Sequence, residues 1–153
     1  MRLFFKICFL LSFFCLTVGC DKADNELDSR PPIEFHLFVE DAETGADLLN
    51  SETEGNLLDA PICAIENGKK YFIGNNPGTS KSGPPLMWEQ HLLGDDRCSL
   101  AYMVWSYDVI TTVVFDWGDG TKTQVDFLPH DYINCQIWVD GVASPGKVGI
   151  VRK

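Results

Sequence analysis

The chain has 153 residues, of which 45% are hydrophobic and 22% are charged, and 22 acidic against 12 basic residues give a formal net charge of −10. This composition indicates one globular domain and excludes collagen-like, coiled-coil and wholly disordered chains. It also argues against nucleic-acid binding, because phosphates repel an acidic surface. The apolar residues are unevenly spread, since five of the ten phenylalanines precede position 15.

Residues 1–19 have the pattern of an export signal. Arg2 and Lys6 make the start of the chain positive, and an apolar run of twelve residues follows from Ile7 to Val18. A membrane span needs about 20 such residues, so the run indicates a signal peptide that is removed. A buried core helix is a poorer interpretation, because the run is apolar on every side and ends abruptly at an acidic segment.

The end of this run, Leu16 to Cys20, reads L-T-V-G-C and resembles the lipobox of bacterial lipoproteins, although Thr17 stands where an aliphatic residue is usual. The resemblance implies that Cys20 becomes the first mature residue and carries a diacylglycerol, with acyl chains such as palmitate. Each buried CH₂ contributes about 0.8 kcal/mol, so two or three acyl chains anchor a protein firmly. An ordinary secretory signal with an accidental cysteine is the alternative.

Residues 20–32 predict a lipidated tether, because they are polar, lack periodicity and close on two prolines. As a coil they would span about 20 Å. Lys22 followed by acidic residues resembles the export tag of surface lipoproteins of Bacteroidetes-type bacteria, whereas Asp21 beside the cysteine would favour the inner membrane under enterobacterial sorting. We expect the protein to be anchored in the outer membrane, on either its periplasmic or its surface face.

Residues 33–153 predict an all-β domain, a small antiparallel β-sandwich of Ig-like or open-barrel type. Alternation from Ile33 to Glu40 predicts a first strand with one apolar face. The Asn67-Gly68 dipeptide lies between two β-prone runs and predicts a hairpin. Short strands between turn residues disfavour helical and βαβ folds. Further strands are predicted at 61–65, 69–73, 99–107, 110–116, 121–127, 133–139 and 147–151, the last at a sheet edge.

Two other segments are not predicted to form strands. Residues 74–85 hold three glycines and three prolines and are expected to form a long loop, and residues 87–93 alone have some helical character. Within strand 99–107, Leu100 and Tyr102 share one face while Ala101 and Trp105 share the other. One face is expected in the core and the other on a covered or binding surface.

Three segments resemble small Bacteroidetes lipoproteins of uncharacterised function. They are the first strand, Phe35 to Asp41, the G-x-D-L-L pattern of Gly45 to Leu49, and Asn56 to Leu58. The turn Trp117 to Thr121 is similar to one in those proteins and also resembles the W-D-F-G-D-G-T turn of PKD-type Ig-like domains. The resemblance implies an exported β-domain and brings no activity with it.

Within this turn, Asp116 and Asp119 are expected to accept hydrogen bonds from backbone amides, while Gly118 and Gly120 take positive φ. A calcium site is the functional alternative. Two carboxylates fall short of the six to eight oxygens that Ca²⁺ prefers, so we predict no metal and no cofactor.

Three cysteines remain in the mature chain, Cys63, Cys98 and Cys135. An exported protein meets oxidising conditions, so a disulfide between two of them is possible, and buried free thiols are the alternative. A cysteine–histidine hydrolase could combine Cys98 or Cys135 with His91 or His130, but no sequence motif supports any of these pairs. We therefore predict no catalytic residues and no enzyme.

The sequence as a whole predicts a lipid-anchored cell-envelope protein that acts as a binding or structural module. The alternatives are a carbohydrate- or peptide-binding accessory lipoprotein that uses exposed aromatics, Trp88 and Trp105 above all, and a small envelope hydrolase. The expected partners are the membrane, through Cys20, and an envelope glycan or protein. Loss of residues 1–19 removes two basic residues and no acidic one, so the net charge becomes −12 and membrane affinity must come from the lipid.

Overall fold

A computed structural model of the protein describes residues 30–73, 85–90 and 97–153. These ranges hold ten β-strands and no helix. The strands are β1 Ile33–Glu40, β2 Cys63–Glu66, β3 Lys69–Phe72, β4 Leu86–Glu89, β5 Ser99–Val104, β6 Thr111–Asp116, β7 Lys122–Pro129, β8 Cys135–Val139, β9 Val142–Pro145 and β10 Val148–Arg152.

The strands form two sheets that pack face to face without closing into a barrel. Sheet A has the order β10-β1-β5-β4, and sheet B has the order β3-β2-β6-β7-β8-β9. All pairs are antiparallel except β1 with β10, which run parallel. The prediction of an all-β domain is confirmed, and the architecture is consistent with a β-sandwich.

Two hairpins of the larger sheet follow from local turn chemistry. Asn67 and Gly68 have φ of 49° and 76°, as the predicted turn between β2 and β3 requires. Asp140 and Gly141 have φ of 47° and 81° and connect β8 to β9 in the same manner. The sequence interpretation predicted a strand over 133–139 but missed β9, although the Asp-Gly pair that follows is an equally strong hairpin signal.

Two expectations need correction. Residues 87–89 belong to strand β4, so the predicted helical character over 87–93 is wrong for the part that the structure describes, and residues 91–93 lie outside it. A short helix here would gain few hydrogen bonds, whereas pairing with β5 satisfies the backbone at once. Strand β5 ends at Val104, three residues earlier than expected. The last strand is an edge strand, as predicted, and lies parallel to β1.

The core lies between the sheets and is centred on aromatic rings. Phe35 of β1 has its ring centroid 5.7 Å from that of Tyr102 in its own sheet. It also lies 5.1 Å from the ring of Phe127 and 6.3 Å from the ring of Phe115, both in sheet B. All four side chains are fully buried. Tyr102 keeps its hydroxyl satisfied by donating to a Glu66 carboxylate oxygen at 2.9 Å.

At the edge of sheet A formed by β10, a glycine allows this strand to lie close to sheet B. A Cβ atom on Gly149 would lie 2.7 Å from Val139 Cγ2 and 2.8 Å from Leu37 Cδ2. Both distances are shorter than real Cβ contacts, so only glycine fits between β1 and β8 without a shift of the core.

We therefore expect Gly149→Ala to destabilise the fold by about 1–3 kcal/mol through overpacking. Urea unfolding followed by tryptophan fluorescence measures the change. The double variant Gly149→Ala with Val139→Ala makes room for the added methyl group and should lose less stability than the two single variants added together. Additive losses would show that the two side chains do not compete for the same space.

Candidate functional site

The Trp117–Thr121 turn is held by its own side chains and by the end of the chain. Asp116 accepts a hydrogen bond from the Gly118 amide at 3.2 Å, and Asp119 accepts one from the Thr121 amide at 2.8 Å. Gly118 and Gly120 have φ of 78° and 90°, so the predicted capping is confirmed.

The ammonium group of Lys153 lies 2.6 Å from Asp119 and hydrogen-bonds to Thr121, which connects β10 of sheet A to this turn of sheet B. These hydrogen bonds, led by that from Lys153, lower the pKa of Asp119. The carboxylate thus has a lysine and a backbone amide as partners. Within residues 30–73, 85–90 and 97–153, no group of three or more histidine, cysteine or acidic side chains is placed to hold a metal ion.

The three cysteines of the domain are buried free thiols in the structure. Burial raises the pKa of each thiol, which keeps it protonated and poorly nucleophilic. The thiol of Cys135 donates to the carbonyl oxygen of Asp131 at 3.1 Å. The ring of His130 pairs instead with Asp108, at 2.9 Å. His91, the other histidine considered for a hydrolase, lies outside the described residues.

The two tryptophans proposed as ligand-binding residues lie far apart. Trp88 is on β4, opposite Leu100 of β5, and points into the space between the sheets at their open edge. Trp105 follows the other end of β5 and is 40% exposed. A single ligand-binding surface that combines the two residues is therefore not formed. Cys20, the predicted lipidation site, lies outside the described residues.

A groove opens where the edges of the two sheets meet. Strand β3 ends sheet B there and β4 ends sheet A, and neither has a further strand beside it in the described part of the chain. The groove has a volume of about 390 Å³ and apolar walls. Its lining residues are Leu58, Ala60, Pro61, Ile62, Phe72, Ile73 and Trp88.

Trp88 forms a fixed wall of this groove. Its indole N–H donates to the carbonyl oxygen of Leu49 at 3.0 Å, so the polar end of the ring is already satisfied. The ring therefore presents apolar surface to the groove. Phe72 lies on the other edge strand with 40% of its surface exposed. The groove thus offers aromatic surface and no charged side chain.

The segment between β1 and β2 supports the groove from one side. Asp47 accepts hydrogen bonds from the Leu49 amide at 2.9 Å and the Cys98 amide at 2.7 Å, which fixes the segment against the start of β5. Asn56 accepts a hydrogen bond from the Leu58 amide at 3.1 Å. A Cβ on Gly118 would lie 2.6 Å from Pro61 Cδ, so the Trp117–Thr121 turn presses on the groove wall. The G-x-D-L-L and Asn56 motifs therefore have structural roles.

A buried polar cluster lies on the outer face of sheet A, and the sequence analysis did not single it out. His36 of β1 is 3% exposed, and its Nδ1 lies 3.8 Å from a carboxylate oxygen of Glu89 on β4. Its Nε2 lies 3.7 Å from Glu34. Ala101 of β5 faces His36 across the pair β1–β5, and its small side chain lets β1 and β4 side chains approach over it.

Three atoms of this cluster are buried without a hydrogen-bond partner: His36 Nδ1, Glu89 Oε2 and Ser99 Oγ. Burial lowers the pKa of His36 below its ordinary 6.5, an effect that Glu34 opposes and Lys147 reinforces. Burial, and then the Glu34 charge, raise the pKa of Glu89 above 4.5. Burial therefore disfavours the charged form of each group. The histidine, carboxyl and hydroxyl groups are not hydrogen-bonded to one another and form no nucleophile–base pair.

The local sequence pattern does not predict this cluster. His36 and Glu34 lie on the same face of β1, and polar residues at such spacing are typical of a strand face in contact with solvent. The burial of His36 depends on β4 and β5, which lie fifty or more residues later in the chain.

Compared with known protein families, curated proteins and solved structures, the chain gives no match. In the described ranges, no helix has the length and hydrophobicity needed to cross a membrane. The candidate sites therefore rest on geometry alone.

The buried histidine predicts a pH-dependent stability. Below about pH 6.5 the unfolded chain binds a proton at His36 that the folded chain resists, so the free energy of unfolding falls as the pH falls. His36→Gln removes this titration, and we expect a shallower loss of stability between about pH 7 and pH 5. Urea midpoints measured across this range test the expectation.

Glu89→Gln is the matched variant, because its linkage has the opposite sign. Because the pKa of Glu89 is raised in the folded state, the unfolded chain releases this proton more readily. The free energy of unfolding therefore falls as the pH rises above 4.5. Glu89→Gln should therefore gain stability relative to the natural chain toward neutral pH, whereas His36→Gln gains it toward acid. Equal profiles for the two variants would contradict the proposed burial of both groups.

Proposed function

We propose that this protein is a lipid-anchored binding module of the cell envelope, without catalytic activity, that takes up extended apolar peptide segments in the groove between β3 and β4. The observation that carries the binding function is the groove, which combines fixed aromatic walls with two strand edges. The anchor is a separate part of the proposal and rests on residues 1–20 of the sequence.

The anchor part is supported by the order of the N-terminal segments. A positive start, an apolar run of twelve residues and Cys20 after Gly19 follow one another as in a lipoprotein signal. Two or three acyl chains would hold the mature chain on a membrane, despite the net charge of −12 that follows loss of residues 1–19. The outer membrane is the membrane that we propose.

The chemistry of the groove favours a peptide over a sugar. A strand added to a sheet edge gains main-chain hydrogen bonds, while every second side chain enters a pocket beside the edge. Phe72, Ile73 and Trp88 supply such a pocket next to two edges. A sugar needs polar groups that converge on its hydroxyls, and the groove lining holds no charged or amide side chain.

A carbohydrate ligand stays as the second candidate because of one observation. Trp105 is 40% exposed on a loop, where its ring is accessible for stacking on a sugar. This surface is separate from the groove, so substitutions can tell the two ligand classes apart.

The anchor is tested with Cys20→Ala. We expect the variant to lose acyl-chain labelling and to leave the membrane fraction, because its thiol is the proposed attachment site. Metabolic labelling with a fatty-acid analogue and membrane fractionation measure both effects. Ser29→Ala, in the same segment, is the control and should stay acylated. An unlabelled natural chain, or a membrane-bound Cys20→Ala variant, would contradict lipid anchoring.

The groove is tested with a dye-labelled peptide in which phenylalanine alternates with threonine. We expect Phe72→Glu to weaken binding about tenfold or more, because the charge would face apolar walls. Trp105→Glu is the matched control, since both aromatic side chains are 40% exposed and only Phe72 lines the groove. Fluorescence anisotropy gives the dissociation constants. Glycan binding that depends on Trp105, with no peptide binding, would instead favour the carbohydrate function.

A further inference from the structure

The exposed hydrophobic side chains of the described residues are concentrated at one end of the sandwich. Seven large hydrophobic side chains are at least 40% exposed in this part of the chain, and five of them belong to the β5–β6 loop and the β7–β8 loop. They are Trp105, Val109, Ile110, Tyr132 and Ile133. We call this surface the entry end, because the chain enters the sandwich beside it.

Strand register places the two loops together. Ile33 pairs with Val104, so the start of β1 and the end of β5 lie at the same end of sheet A. Thr111 pairs with Phe127, which brings the start of β6 to the end of β7. A hydrogen bond from the Asp108 amide to the Pro129 carbonyl oxygen, 2.8 Å long, joins the loops directly.

The last residues before β1 are fixed to this end. The guanidinium carbon of Arg30 lies 3.7 Å from the centre of the Tyr107 ring, and the Tyr107 hydroxyl donates to the carbonyl oxygen of Pro31. A tether that begins at Cys20 therefore reaches the domain at the entry end. Its expected span of about 20 Å is similar to the length of one strand of the sandwich.

A group of acidic residues lies at the end of the sandwich opposite to the exposed hydrophobic side chains. Residues 41–62, at the far end of β1, hold six acidic residues and no basic one. At the entry end, Asp108 is paired with His130 at 2.9 Å and lies 4.0 Å from Arg30. Lys147 adds a positive charge 3.7 Å from the centre of the Tyr132 ring. Residues 41–62 therefore place six negative charges away from the entry end, whereas the two entry-end loops hold one acidic residue each, Asp108 and Asp131.

We propose that the entry end docks on the lipid bilayer that carries the anchor, with Val109, Ile110 and Ile133 inserted among the lipid headgroups and Trp105 and Tyr132 at the interface. This inference rests on the proposed lipid anchor. Tryptophan and tyrosine favour the membrane–water interface, because they combine an apolar ring with a polar group. The acidic far end would point away from anionic lipid, and the groove between β3 and β4 would stay open at the side.

Position favours lipid over a protein partner for this surface. A short tether fixed at the entry end keeps that end next to the bilayer, so another protein would have to enter the gap between them. Small apolar insertions add membrane affinity in proportion to their buried area, which complements the acyl chains and sets the orientation of the domain.

The test uses the full chain, purified with its acyl chains and reconstituted in vesicles of phosphatidylethanolamine and phosphatidylglycerol with brominated acyl chains. Bromine quenches tryptophan fluorescence only at close range, so the difference between the natural chain and Trp105→Phe reports Trp105 alone. We expect quenching and a blue shift of the Trp105 emission. Both should be largely lost in the double variant Val109→Glu with Ile133→Glu, because carboxylates resist entry into the interface.

Val142→Glu is the matched control. Val142 is 70% exposed and begins β9 beside the Asp140-Gly141 turn, at the other end of β8 from the entry end, so its substitution should leave the quenching unchanged. Circular dichroism checks that all variants are folded. An acylated, vesicle-bound chain without Trp105 quenching would overturn the docking surface and leave the anchor intact.

Mass spectrometry of Cys20 separates this result from failure of the proposed function, since a chain without acyl groups would contradict both. A dimer in solution that the double variant abolishes, with no quenching, would assign the entry end to a second copy of the chain and overturn the inference.

Discussion

Contact between aromatic rings across the two sheets is the interaction on which the rest of this structure depends. Phe35 lies against Phe127 and Phe115 of the facing sheet and against Tyr102 of its own. Each of these residues is fixed by strand register, so the packing of the rings determines how the sheets are aligned. Protein interiors are close-packed and leave few voids, so a change in the volume of one ring affects the others.

The alignment has consequences at the edges and ends of the sandwich. On one side, Gly149 lets β10 close against β8, and the two sheets meet tightly. On the other side, β3 and β4 stand apart, and the groove lined by Trp88 and Phe72 opens between them. Because both edges are packed on one core, the same contacts fix both groove walls, as the proposed binding of an extended segment requires. The same alignment collects the N-terminal entry and two apolar loops at one end.

Local chemistry made much of the fold predictable. Alternation in β1 and the paired positive-φ residues Asn67 and Gly68 are properties of a few adjacent residues, and both predictions are confirmed. The capping of the Trp117–Thr121 turn is local in the same sense. The error at β4 has the opposite cause, since a four-residue strand is stabilised by a partner ten or more residues away. Trp88 was predicted as an exposed ligand-binding aromatic, and the structure places it half-buried in the groove wall, whose other residues were not singled out.

The sequence by itself determined the β-rich class and the positions of most strands, and it predicts an exported and lipidated N-terminus. These depend on composition, periodicity and short motifs, which act over a few residues. The tertiary structure alone decided that Trp88 and Trp105 belong to different surfaces and that His36 is buried beside Glu89. It also decided that five exposed hydrophobic residues share one end. Such juxtapositions are set by long-range strand register, which loop closure and core packing select and no local pattern encodes.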